Sequence, residues 1–114
     1  MLKKRISVLK DAGIISLEVS NYMGEVIDVL ETMDFEQSKL EMFTTHLAMA
    51  LKRTMEKGEE LELDDSIYQE ILANENFDQA NSFYEQIKVG MPCAISENER
   101  KYILMHLCNL FLKV

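Results

Sequence analysis

FTTHLAMALKR, residues 43–53, is the stretch of this sequence that decides its fold. At roughly 100° per residue along a helix, the apolar side chains in and just before this stretch fall on one stripe. His46 and Arg53 are about two helical turns apart and lie together at the edge of that stripe. The stripe consists of Leu40, Phe43, Leu47, Ala50 and Leu51. The segment is therefore predicted to be an amphipathic helix that buries one face and carries a histidine at the margin.

The second of the two histidines has a similar position near the end of the sequence. His106 lies at the margin of another helical stripe, near Glu99 and Asn109. Ser96 and Glu99 fit a capping box, in which the two side chains bond reciprocally to backbone N–H groups at a helix start. Glu99 is thus a candidate for a cap, for a histidine site, or for both. The stripe consists of Ile103, Leu107, Leu110 and Phe111.

The composition is that of one α-helical domain. A chain of 114 residues with 47% apolar side chains can bury a single core. It has only four glycines and one proline, and its apolar residues recur at spacings of three and four rather than two. We therefore predict an all-α fold, an antiparallel bundle of about five core helices over residues 14–114. A short N-terminal helical extension, residues 1–13, precedes it.

Local patterns place the ends of the first three helices. The extension should end at Gly13, because glycine suits the left-handed position that follows a helix. The next helix is expected within residues 14–33, with Ser16 as a candidate N-cap. A short turn then leads to the first histidine helix, predicted over residues 36–56 with Gly58 near its end. A connection this short makes the two helices antiparallel neighbours.

An acidic segment follows, with nine Asp or Glu residues between Glu56 and Asp78 against one Lys. It lacks the alternating oxygen ligands, the glycine and the closing glutamate of a calcium loop, so we interpret it as solvated and predict no metal site. Ser66 is a candidate cap for a short fourth helix, and a fifth is expected through residues 77–87. Residues 90–92 then break the chain before the last helix.

The charge and the cysteines exclude several classes of function. A net charge of −8 and a pI near 4.7 argue against binding nucleic acid, whose affinity comes largely from Lys and Arg on phosphates. Cys93 and Cys108 lack CxxC spacing, and no apolar signal-peptide core is present, so a cytoplasmic protein with reduced thiols is expected. No run approaches the ~20 apolar residues of a membrane span.

The histidines leave more than one chemistry open. A histidine that accepts a phosphoryl group needs a neutral, exposed ring nitrogen, and a nearby arginine can stabilise the roughly two negative charges gained. His46 and Arg53 meet that demand. A zinc site formed by His46, His106 and the cysteines lacks a ligand-spacing pattern, and no hydrolase triad can be assembled. An isolated histidine beside an apolar stripe is also commonly a packing residue.

FTTHLAMALKR and the later ISENERKYILMHL resemble the two histidine motifs of the PTS regulation domain, a helical module of bacterial sugar phosphotransferase systems. In that family each motif is a histidine followed by an aliphatic residue. The first motif has an arginine seven positions later, and the second has a glutamate about seven positions earlier. The resemblance extends from about residue 14 to the C-terminus. In this sequence the matching positions are His46, Leu47 and Arg53, then Glu99, His106 and Leu107.

The resemblance implies regulation rather than catalysis, without a cofactor. It implies that His46 and His106 are phosphoacceptors, with Arg53 and Glu99 as supporting residues. Asn109, at the helix margin near His106, is a further candidate for a supporting residue. The phosphate would come from the histidine-containing phosphocarrier protein or from a sugar-specific enzyme II component. Because the family's RNA-binding or DNA-binding output domain has no counterpart in this sequence, a stand-alone regulatory domain that influences transcription through partners is expected. The alternative is a structural helical interaction module whose histidines are not phosphorylated.

Two spatial expectations follow. Met42 and Met49 form a second apolar strip on the first histidine helix, and family members pair through these domains, so a homodimer is expected. Each histidine also lies at the margin of its own core stripe. When the two stripes pack together the margins meet, so His46 and His106 should share one polar, partly exposed site with Arg53 and Glu99 beside it.

Overall fold

A computed structural model describes residues 2–57 and 63–112, and these residues form six α-helices and no strand. The all-α class is confirmed, and the helices correspond to the short N-terminal helix and the core helices expected from the sequence. None of the described helices is long and apolar enough to cross a membrane. The helices are α1 (Leu2–Asp11), α2 (Leu17–Leu30), α3 (Gln37–Glu56), α4 (Asp65–Leu72), α5 (Phe77–Lys88) and α6 (Glu97–Phe111).

The first helix ends follow the local sequence. Gly13 has a φ of +75°, a conformation that glycine adopts without the steric penalty of a Cβ, and it separates α1 from α2. Ser16 caps α2, because its hydroxyl oxygen accepts a hydrogen bond from the Val19 N–H at 3.2 Å. Lys57 ends α3 in the left-handed conformation, with a φ of +56°. Gly58, predicted near this end, lies outside the described residues.

The predicted cap of the fourth helix is wrong by two residues. Asp64 is the N-cap of α4, and its carboxylate accepts from the Ser66 N–H at 3.4 Å. Ser66 itself lies inside the first turn. Aspartate is as good an N-cap as serine, so the helix starts at the earlier of the two suitable residues. Part of the acidic segment, residues 58–62, lies outside the described residues.

Three pairs of packed helices run antiparallel: α1 with α2, α2 with α3, and α3 with α6. The ion pair between Lys3 and Asp28, 2.6 Å apart, joins the start of α1 to the end of α2. The Ser16 hydroxyl lies 3.9 Å from the Met55 sulfur, which places the start of α2 beside the end of α3. α3 and α6 are also antiparallel, since Arg53 near the end of α3 bonds to the first turn of α6.

One hydrophobic core receives side chains from all six helices. Every member of the α3 stripe is buried, and burial of each leucine-sized side chain contributes roughly 1.5–3 kcal/mol. Leu2 and Ile6 bury the inner face of α1 in the same core. The domain boundary at residue 13 stays a prediction. Because α3 and α6 pack stripe against stripe, their histidine-bearing margins lie side by side.

Candidate functional site

The two imidazoles form a stacked pair between α3 and α6. The ring centroids of His46 and His106 are 3.9 Å apart and the ring planes differ by 14°. Both side chains are half-buried at the edge of the core. The antiparallel packing brings residues 46 and 106 to the same level of the bundle, because Arg53 and Glu99 meet about two turns further along. The structure therefore brings together two histidines that are 60 positions apart in the sequence.

A tyrosine that the sequence analysis overlooked completes the ring cluster. The Tyr102 hydroxyl oxygen lies 2.6 Å from Nδ1 of His46, which is a hydrogen bond. The Tyr102 ring stands nearly perpendicular to both imidazoles, with centroid distances of 5.7 Å to His46 and 4.6 Å to His106. Its spacing could have revealed it, because residues four apart on a helix share a face and Tyr102 precedes His106 by that interval.

Arg53 and Glu99 form a bidentate ion pair at the end of the cluster. Nε and Nη2 of Arg53 donate to the two carboxylate oxygens of Glu99, each at 2.9 Å. The Glu99 side chain is 1% exposed and the Arg53 side chain 23%. Two parallel charge-assisted bonds hold the guanidinium in a fixed orientation. Its carbon lies 5.2 Å from the centroid of the Tyr102 ring, within the range of a cation–π contact. Arg53 thus connects the buried carboxylate to the aromatic cluster.

Half of the predicted capping box forms: the backbone N–H of Glu99 is capped, but its side chain does not act as a cap. The Ser96 hydroxyl oxygen accepts from the Glu99 N–H at 3.2 Å and starts α6. The Glu99 carboxylate bonds to Arg53, and no bond back to the Ser96 N–H occurs among the described residues. Glu99 therefore belongs to both the helix start and the histidine cluster.

Asn109 lies apart from the rings. Its side chain is exposed and its Nδ2 is 3.9 Å from the sulfur of Met42, and among the described residues no contact joins it to either imidazole. The site-supporting role of Asn109 thus has no geometric support. The roles of His46 and His106 as phosphoacceptors, and of Arg53 and Glu99 as supporting residues, stay predictions.

Burial keeps both imidazoles neutral near pH 7. Burial, with a smaller contribution from charge repulsion by the neighbouring His46, lowers the pKa of His106 to about 4. Partial burial also lowers the pKa of His46, with a second contribution from the positive charge of Arg53. Burial likewise raises the pKa of Tyr102, which stays a neutral phenol. The cluster therefore offers uncharged ring nitrogens beside a permanent cation.

No metal site accompanies this cluster in the part of the chain that the structure describes, because residues 2–57 and 63–112 contain no group of three or more potential ligands. The nucleophilic atoms of the site are the imidazole nitrogens. Neutral imidazoles that share a margin with an arginine are suited to accepting an electrophile that carries negative charge, such as a phosphoryl group.

The family comparison covers the part of the chain that carries the ring cluster. The family model of the PRD domain matches residues 26–110, which include α3, all of α6 but its last residue, and the whole ring cluster. The chain therefore belongs to the PRD domain family, whose members are regulatory rather than catalytic domains. The resemblance inferred from the two histidine motifs is confirmed.

A protein of Escherichia coli (strain K12) has a similar sequence over nearly its whole length. This relative, called uncharacterized protein YhfY, is 26% identical over 115 residues, which cover 97% of this chain and 95% of the relative. No solved structure matches the chain significantly.

Proposed function

We propose that this chain is a regulatory domain of a bacterial sugar phosphotransferase system and is controlled by reversible phosphorylation within the His46–His106 pair. The observation that carries the proposal is the stack of two neutral imidazoles, 3.9 Å apart, at a shared margin of α3 and α6. Membership of the PRD domain family supports the same function. The domain acts in the cytoplasm on transcription through a partner.

The electrostatics of the site favour a phosphorylated product. A phosphoryl group brings roughly −2 charge and three acceptor oxygens. Arg53 lies beside the cluster, and an arginine has five N–H donors, of which two serve Glu99. The remaining donors can bond to phosphoryl oxygens while the bidentate pair stays in place.

Phosphorylation at this position provides a regulatory signal because the site lies at a helix junction. The stacked rings join the margins of α3 and α6, and the Glu99 carboxylate at the same junction is buried. New negative charge here repels that carboxylate. The packing of α6 against α3 is therefore the element that phosphorylation changes, and a partner that contacts this edge can detect it.

A phosphorylated histidine of the phosphocarrier protein or of a sugar-specific enzyme II component is the proposed donor. Incubation of the purified chain with phosphoenolpyruvate, enzyme I and the phosphocarrier protein should add the mass of one phosphate, in a form labile to acid and stable to base. The variant with both His46→Ala and His106→Ala should gain none. If the intact chain also gains none, from this donor or from an enzyme II component, the chain is a structural interaction module instead.

Self-association belongs to the same proposal. Met42 on α3 is 49% exposed, whereas Met49 on the same strip is half-buried against the core. An exposed methionine close to the histidine margin provides an apolar contact for a second copy of the chain. Sedimentation equilibrium at high micromolar concentration should give twice the monomer mass of 13.2 kDa, with a dissociation constant that phosphorylation changes. A monomer in both states would exclude the dimer.

A further inference from the structure

The two histidines of the stack have different surroundings. Nε2 of His106 is buried and has no hydrogen-bond partner among the described residues. The His46 side chain as a whole is half-buried, and its Nε2 is not one of the buried atoms without a partner. Nδ1 of His46 is occupied by the Tyr102 hydroxyl at 2.6 Å. Nδ1 of His46 is therefore already bonded, and Nε2 of His106 is closed to a phosphoryl donor from outside.

We propose that His46 is the phosphoacceptor of the pair, that it reacts through Nε2, and that Tyr102 is a positioning residue that holds Nδ1. His106 stays unphosphorylated and serves as the neutral ring against which His46 is stacked. This inference rests on the proposed function and specifies the residue, the atom and the number of phosphates involved.

The hydrogen bond to Tyr102 engages Nδ1 and is compatible with the reactive tautomer, because a phenol oxygen accepts from Nδ1–H as well as it donates to Nδ1. A neutral imidazole has one protonated and one unprotonated nitrogen, and only the unprotonated nitrogen is nucleophilic. When Nδ1–H donates to the oxygen of the neutral Tyr102 phenol, the lone pair is on Nε2. The perpendicular Tyr102 ring and the parallel His106 ring contact His46 from two directions, so the hydrogen bond and the stack together fix the orientation of the imidazole.

The transfer step balances with a phosphohistidine donor. The Nε2 lone pair of His46 forms the new N–P bond, while the N–P bond of the donor breaks and its electron pair remains on the donor's imidazole. That imidazole takes up a proton from solvent, and His46 releases its Nδ1 proton, past Tyr102, to solvent. A phosphoryl donor on another protein must reach its acceptor from outside, which the partial exposure of the His46 side chain permits.

The same geometry limits the pair to one phosphate. A phosphoryl group on Nε2 of His106 would have to enter a buried position that contains no partner for it. A second group would also place roughly −2 charge next to an equal charge on a ring whose centroid is 3.9 Å away. We therefore expect one phosphate per chain.

Potassium phosphoramidate, a small phosphoryl donor, tests the inference without a protein donor. Limited treatment of the intact chain, followed by peptide mass spectrometry with electron-transfer fragmentation, should place one phosphate on His46. Long-range ¹H–¹⁵N NMR should assign it to Nε2. The His46→Gln variant should lose the label, whereas the His106→Gln variant should still carry phosphate on His46. Phosphate on His106 of the unaltered chain, or two phosphates per chain, would overturn the proposal.

Tyr102→Phe tests the positioning role, with Tyr68→Phe as the matched control. Tyr68 is another half-buried tyrosine, on α4, and its hydroxyl accepts from Arg100 at 3.5 Å, away from the histidines. Loss of the Tyr102 hydroxyl should slow phosphorylation of His46 roughly fivefold, the rate equivalent of about one net hydrogen bond. It should also produce phosphohistidine with the phosphate on Nδ1 of His46, in addition to the form with the phosphate on Nε2. A merely structural tyrosine would not change that isomer ratio, and an unchanged ratio would refute the role.

The chemical donor separates this inference from the proposed function. Phosphate on Nε2 of His46 from phosphoramidate, together with none from the phosphotransferase components, would refute the proposed function and leave the properties of the site intact. Phosphate on His106 from both sources would support the proposed function and refute this inference.

Discussion

Removal of the Arg53 guanidinium should lower the free energy of unfolding more than loss of any exposed ion pair. Arg53→Met keeps a long apolar side chain and leaves the Glu99 carboxylate, 1% exposed, without either of its 2.9 Å hydrogen bonds. An uncompensated buried charge costs about 3–5 kcal/mol. Since the Arg53 side chain is 23% exposed, water can approach the vacated position, and we expect the lower end, about 3 kcal/mol. The melting temperature should fall by roughly 10–20 °C.

Urea unfolding followed by far-UV circular dichroism measures this change. Lys52→Met is the matched control on the same helix, because Lys52 pairs with Glu56 at 2.8 Å on the surface and should cost less than about 1 kcal/mol. The double variant with Arg53→Met and Glu99→Met removes the stranded charge and should regain most of the loss. If Arg53→Met costs no more than Lys52→Met, or if the double variant is no more stable than Arg53→Met, the stranded-charge argument is refuted.

The remaining predictions use the same unfolding measurement. Leu47→Ala should lower the unfolding free energy by about 2–5 kcal/mol, and His46→Ala by less than about 1 kcal/mol, because Leu47 is buried and His46 lies at the margin; equal losses would contradict this. The pKa of His106 is near 4 when folded and about 6.5 when unfolded. As the pH falls from about 6.5 toward 4, His106 binds a proton in the unfolded chain but not in the folded one. The contribution of His106 to the unfolding free energy is therefore complete above pH ~6.5 and declines toward pH 4. His106→Gln should weaken that decline, and an unchanged pH profile would argue against it. Tyr22→Phe removes the buried bond that the hydroxyl donates to the Ile87 carbonyl at 2.6 Å and should cost about 1–3 kcal/mol; an unchanged urea midpoint would show that the bond contributes nothing net.

Sequence patterns predicted the helices well because their causes are local. The stripes of α3 and α6 follow from the 3.6-residue period, and the caps at Ser16 and Ser96 require only a hydroxyl followed by a free backbone N–H. The error at α4 arose where two capping residues compete within three positions, since Asp64 and Ser66 are both suitable and local chemistry does not rank them.

The histidine cluster was predicted only in part. The meeting of His46 and His106 follows from two stripes that share a core, and the Arg53 and Glu99 positions came from the family motifs. Asn109 was selected for its nearness to His106 along the helix, yet its side chain lies on the exposed side. Residues three apart on a helix point in directions that differ by roughly 60°. That difference is enough for His106 to join the ring cluster while Asn109 points to solvent.

The sequence by itself determined the class of fold, the helices that carry the histidines and the family to which the chain belongs, because periodicity, caps and short motifs are properties of neighbouring residues. Only the tertiary structure decided that Tyr102 occupies Nδ1 of His46, that Glu99 is fully enclosed, and that one imidazole is more buried than the other. These properties depend on distances between α3 and α6, which lie far apart in sequence and are set by how two helical surfaces interlock.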